Sequence, residues 1–141
     1  MTLAKQEAPG LIETPRDAEP EATPRPPRTL TILVVDDEPD SADGIAMLLE
    51  AWEHKVSVAY DAKRAIELYR ERHPDLVLID IGLPGMDGYQ LAVRLRAEDH
   101  EAALVALTGY TDRRRAMSAG FLEHFAKPVD PEALRALISR I

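Results

Sequence analysis

Apolar and polar positions along this chain fall into short blocks, and the period changes from block to block. LTILVV at 30–35 is a β-branched apolar run, the pattern of a strand buried on both faces. Next come Ile45, Leu48, Leu49 and Trp52 at i, i+3, i+4 and i+7, one apolar stripe of an α-helix. Lys55–Tyr60 predicts a second strand. Asp61 can cap the following helix, whose inner face is Ala62, Ala65, Ile66 and Tyr69, and Pro74 stops it. LVLI at 76–79 is a third buried strand. Gly88, Leu91, Ala92 and Leu95 line the next helix, and Ala103–Leu107 is a fourth strand. The spacing then predicts a short helix over 112–119 ending at Gly120, which can supply a left-handed C-cap. Phe121–Ala126 is a fifth strand. Asp130 caps a last helix with Pro131 at its first position and the stripe Leu134, Leu137, Ile138 and Ile141.

Five strands thus alternate with five helices. Right-handed crossovers then give one parallel sheet covered by helices on both faces. Periodicity alone does not choose between the doubly wound strand orders.

Residues 1–29 do not follow this pattern. They carry six of the eleven prolines, at 9, 15, 20, 24, 26 and 27. Proline lacks an N–H and fixes φ, so neither a helix nor a central strand can run through such a stretch. Few large apolar residues are present to offset the entropy of ordering. The expectation is a flexible, Pro-rich extension at 1–29 and one folded domain at 30–141.

Composition narrows the function classes. The 141 residues are 45% hydrophobic and 30% charged, an ordinary globular balance. There is no cysteine, which excludes disulfides and thiolate metal sites and suits a reducing compartment. The net charge of −8 argues against a nucleic-acid-binding face. No apolar run approaches the roughly 20 residues that span a bilayer, and the N-terminus lacks the apolar segment of a signal peptide. A cytoplasmic protein without membrane insertion is expected.

The polar residues that interrupt the apolar blocks sit at predicted strand ends. Asp36 and Asp37 close the first strand, Asp80 the third, Thr108 the fourth and Lys127 the fifth. Open parallel sheets bind ligands outside the carboxyl ends of their strands. The fold therefore brings three carboxylates, a hydroxyl and an ammonium to one edge. Adjacent carboxylates repel, and some are pushed toward the neutral form unless a cation intervenes. An all-oxygen set suits Mg²⁺ or Mn²⁺. One carboxylate can then act as a nucleophile toward phosphorus, with Lys127 and Thr108 stabilising charge on phosphoryl oxygens.

VVDDEPD at 34–40, LVLIDIGLPGMDGY at 76–89, ALTGY at 106–110 and FAKPVD at 125–130 resemble, in that order, the marker segments of response-regulator receiver domains. The resemblance implies a flavodoxin-like five-stranded parallel sheet of order 2-1-3-4-5. It makes Asp80 the phosphorylated residue, Asp37 a direct Mg²⁺ ligand and Asp36 an acidic partner acting mainly through water. The Gly82 carbonyl would be a further ligand, Thr108 the switch hydroxyl and Lys127 the phosphate-binding lysine. It also implies a cis bond between Lys127 and Pro128, and a tight turn built on Pro84, Gly85 and Gly88.

Three positions depart from the family pattern. His124 stands where Tyr or Phe is frequent, as in receivers attached to hybrid histidine kinases; paired with Thr108 it would form the switch, and imidazole can also titrate near neutral pH. The stretch from Thr108 to Lys127 is shorter than in chemotaxis-type members. Gly82 offers no side chain beside the acceptor, whereas Tyr110 could shield it.

The function so implied is that of a stand-alone response regulator, not an enzyme acting on an external substrate. A histidine kinase or histidine phosphotransfer protein would donate the phosphoryl group to Asp80. A downstream protein target would read the face formed by the helix at 112–119, the fifth strand and the last helix. Two other classes use similar parts. A Mg²⁺-dependent phosphohydrolase with an aspartyl nucleophile usually begins D-x-D and carries a cap domain, whereas Asp36 and Asp37 are adjacent here. A pseudo-receiver scaffold would have an incomplete acidic pocket, whereas all five positions are filled.

Overall fold

The central strands are apolar at nearly every position, so β1, β3 and β4 each feed a core on both faces of the sheet. In the computed structural model, which describes residues 28–98, 100–109 and 119–141, β1 is Thr31–Val35, β2 Lys55–Ala59, β3 Leu76–Asp80, β4 Ala103–Thr108 and β5 Glu123–Ala126. The helices are α1 (Pro39–Ala51), α2 (Ala62–Arg72), α3 (Gly88–Arg96) and α4 (Pro131–Ile138). All strand pairs are parallel and the order is β2-β1-β3-β4-β5, as the resemblance implies. The expected helix at 112–119, Tyr110 and nearly all of the Pro-rich stretch at 1–29 lie outside the described residues.

Successive side chains of a strand point to opposite faces. Leu33, Val35, Val77, Ile79, Leu104 and Ala106 therefore pack on one side of the sheet, with α2 and α3. Ile32, Val34, Leu76, Leu78, Val105 and Leu107 pack on the other, with α1 and α4. Full burial of one such side chain stabilises the fold by about 1.5–3 kcal/mol. Both sides of the central strands are closed, so the polar residues at their ends are left at the sheet edge.

Two details differ from the sequence expectation. The inner face of α1 centres on Ala42, Ala46 and Leu49, with Ile45 and Trp52 only partly buried against it. The two alanines let the helix lie close to the sheet, and Leu48 is turned to the margin. β5 starts at Glu123 rather than Phe121. Gly120, at φ +93, turns the chain, Phe121 drops into the core, and pairing with β4 becomes regular only afterwards.

The histidines other than His124 are tied to the scaffold. His54 Nδ1 accepts from the Leu30 N–H at 3.0 Å. His73 ends α2 in the left-handed region, at φ 48. Its ring meets His100 edge-on at 5.1 Å, and His100 Nε2 lies 2.6 Å from the Pro74 carbonyl. Among the described residues no helix is long and apolar enough to cross a membrane.

Candidate functional site

Four strand ends converge. Val35 pairs with Ile79, Asp80 with Leu107, and Thr108 with Ala126. Asp36 and Asp80 therefore lie level at the ends of neighbouring strands, with Thr108 one residue and Lys127 two residues further toward the same edge. The Lys127 N–H donates to the Thr108 carbonyl at 2.8 Å, which holds the β4 and β5 ends together. The Lys127–Pro128 bond is cis.

Asp36 is fully buried. Its Oδ1 accepts from the Glu38 N–H at 3.0 Å and its Oδ2 from Lys127 Nζ at 3.0 Å. Asp80 is nearly buried. Its Oδ1 accepts from the Gly82 N–H at 3.1 Å, and its Oδ2 lies 3.5 Å from Lys127 Nζ. Asp37 faces solvent beside them. Asp36, Asp37 and Asp80 each offer an oxygen, and these lie within 4.8 Å of one another.

Burial and charge split the carboxylates. Burial acts to raise the Asp36 pKa, but the Glu38 N–H, Lys127 and the Ser41 hydroxyl outweigh it and hold the group below the usual 3.8. At Asp80 burial wins, helped by the negative charge of Asp36 and opposed by the Gly82 N–H and Lys127, so its pKa is raised. Burial works against the Lys127 ammonium, but the two carboxylates outweigh that and raise its pKa. Lys127 thus bonds Asp36 directly and pairs more loosely with Asp80.

This donor set fits a hard divalent cation. It is all oxygen, it holds three acidic groups against one lysine, and the group that pays most for ionisation is the one a cation would relieve. A Cβ on Gly82 would lie 3.7 Å from Asp80 Oδ1, ordinary contact, so glycine leaves the approach to the carboxylate open.

Thr108 is buried at the end of β4. His124 lies opposite Ala106 in the ladder, and its side chain is only 10% exposed. Its Nδ1 finds no hydrogen-bond partner among the described residues, with Glu123 Oε1 at 3.7 Å. The structure thus brings Asp36, Asp37, Asp80, Gly82 and Lys127 into one cluster, with Thr108 on the adjoining strand end and His124 buried farther back along β5.

Sequence reasoning passed over Ser41 and the Glu38 N–H as supports of Asp36. Both lie at the entry to α1, and no residue-type signal separates them from ordinary cap residues.

Comparison with known proteins gives the same picture. The family model for the response regulator receiver domain matches residues 32–139. An uncharacterised 14.6 kDa protein encoded 3′ of sodA1 in Leptolyngbya boryana is 39% identical over 116 residues, which is 79% of this chain and 88% of that protein. The probable transcriptional regulatory protein TcrX of Mycobacterium tuberculosis is 36% identical over 120 residues; the match covers 79% of this chain but only 50% of TcrX. The crystal structure of a CheY-like response regulator receiver domain protein from Methanospirillum hungatei superposes with a TM-score of 0.74 at 27% identity, covering 80% of this chain and 93% of that one.

Proposed function

This chain belongs to the response regulator receiver domain family of two-component systems, and on that premise we propose that it accepts a phosphoryl group on Asp80 from the phosphohistidine of a histidine kinase or phosphotransfer protein. The observation that carries the reading is the convergence of Asp36, Asp37, Asp80 and Lys127 at one sheet edge, with Lys127 closer to Asp36 than to Asp80.

An Asp80 carboxylate oxygen attacks phosphorus, the P–N bond to the donor imidazole breaks, and a P–O bond forms. Asp37, Asp80 and the Gly82 carbonyl would hold Mg²⁺ or Mn²⁺ directly, with Asp36 acting through water. The cation supplies positive charge that offsets the developing phosphoryl charge. The Gly82 N–H orients the Asp80 carboxylate. The Lys127 ammonium is near enough to Asp80 to pair with a phosphoryl oxygen once the group is in place. The Thr108 hydroxyl donates to another. Signalling then runs through contact with a protein partner.

Incubation with acetyl phosphate and Mg²⁺ should place one acyl phosphate on the wild type and none on Asp80→Ala. Stoichiometric labelling of the variant would put the site elsewhere.

A further inference from the structure

Gly88, the first residue of α3, does not need to be glycine for its backbone conformation. Among the described residues the glycines in the left-handed region are Gly85 and Gly120, and glycine in a helix costs propensity. The reason for it is space. A Cβ at position 88 would lie 2.7 Å from the Asp80 carbonyl oxygen, 2.7 Å from Ile81 Cα and 3.0 Å from Ile81 Cδ1. The two nearest atoms are backbone and cannot rotate away.

Neither side of this contact is free to retreat. The Ile81 N–H donates to the Leu107 carbonyl at 2.9 Å, and the Ile81 carbonyl accepts from the Gly88 N–H at 3.1 Å. On the helix side, Asp87 and Gln90 form a reciprocal capping box, and Leu91, Ala92 and Leu95 are fully buried. A side chain at 88 must therefore strain this contact, and any yielding on the strand side moves the Asp80–Ile81 peptide, the segment that carries the Asp80 carboxylate and leads into Gly82.

We propose that Gly88 is a positioning residue for the acceptor site: the missing Cβ lets α3 close on the Asp80–Ile81 backbone and so fixes where the Asp80 carboxylate and the Gly82 carbonyl stand. The inference rests on the phosphoacceptor reading above and extends it to a residue that touches neither metal nor phosphate.

The test is Mg²⁺ titration by calorimetry, at a temperature where circular dichroism shows each variant folded, with acetyl phosphate labelling in parallel. Gly88→Ala should bind Mg²⁺ about tenfold or more weakly, as displaced supports of a metal site do, and label in proportion. Gly44→Ala, with nothing within 4 Å of its new Cβ, should match the wild type in both. A purely structural role would lower the melting temperature and leave the affinity of folded protein unchanged, which would overturn the proposal. Gly88→Ala/Ile81→Val removes the Cδ1 contact and keeps both backbone contacts, so it should stay weak; full recovery would also overturn it. If Gly88→Ala does not fold, Asp87→Ala decides, because it loosens the cap that sets the start of α3. Weaker Mg²⁺ binding supports the proposal and wild-type binding overturns it. A wild type that takes neither Mg²⁺ nor phosphate would overturn the phosphoacceptor reading and this inference with it. A competent wild type matched by Gly88→Ala would overturn this inference alone.

Discussion

Lys127 Nζ stands 3.0 Å from Asp36 Oδ2 and 3.5 Å from Asp80 Oδ2. The lysine at the end of β5 thus neutralises the fully buried Asp36 first and Asp80 second. Removing it leaves a buried charge without its counter-ion. Lys127→Met should lose about 2 kcal/mol of stability in metal-free buffer, several degrees of melting temperature for a domain of this size. The pH dependence has a definite sign. The Asp36 pKa is depressed, so its contribution is present above 3.8 and is lost as pH falls through the lower folded value. The Lys127 pKa is raised, so its contribution is complete below 10.5 and is lost as pH rises through the higher folded value. Urea titrations across the acid and alkaline limbs should show both losses in the wild type and flatter limbs in the variant.

Asp80 is a liability to the fold in metal-free buffer. The Asp80 pKa is raised above 3.8, so in the unfolded chain this carboxyl releases its proton at lower pH than in the native one. Stability is lost as pH rises from 3.8 through the folded value, and at neutral pH the ionised group opposes folding. Asp80→Asn should therefore melt a few degrees above the wild type without Mg²⁺. Mg²⁺ should narrow or reverse the gap, since a ligand that binds only the native state stabilises it by RT ln(1 + [L]/Kd), about 2.7 kcal/mol at a hundredfold excess over Kd. A lower melting temperature for metal-free Asp80→Asn would contradict the account.

Thr108 and His124 should respond to occupancy of Asp80. A buried ring nitrogen without a partner costs about 1–3 kcal/mol, so the present rotamer of His124 is no deep well. Drawing the Thr108 hydroxyl toward a phosphoryl oxygen changes the space at the β4 and β5 ends, and a difference of a few kcal/mol between rotamers is enough for a switch. Crystal structures with and without beryllofluoride should differ in the Thr108 χ1 and in the His124 ring. If both stay in place, signalling runs through another surface.

His54 gives the domain a second acid-sensitive point, at the opposite end of the strands from Asp80. Burial lowers its pKa below 6.5, and its Nδ1 accepts from the Leu30 N–H ahead of β1. The unfolded chain takes up this proton first as pH falls, so stability declines from about 6.5 downward through the folded value. His54→Gln should lose about 1 kcal/mol at pH 7.5 and show a smaller further loss at pH 5.5 than the wild type. Equal slopes in urea denaturation at the two pH values would remove His54 from the account.

The order of the elements was legible in the sequence because each depends on local periodicity. ILVV at 32–35 and LVLI at 76–79 have no polar position to place on a surface, so they had to be central strands. The residue types gathered at strand ends were legible for the same reason, and the marker segments around Asp36, Asp80, Thr108 and Lys127 named the family. What required the tertiary structure depends on distances through space. The rotation of α1 that buries Ala42 and Ala46 follows from how close small side chains let a helix approach the sheet. The split between a low-pKa Asp36 and a high-pKa Asp80 follows from burial, which prevails at Asp80 but is outweighed at Asp36 by the Glu38 N–H, Lys127 and Ser41. The need for glycine at 88 follows from a backbone contact that residue type alone does not reveal, because it forms only when α3 and the end of β3 are packed together.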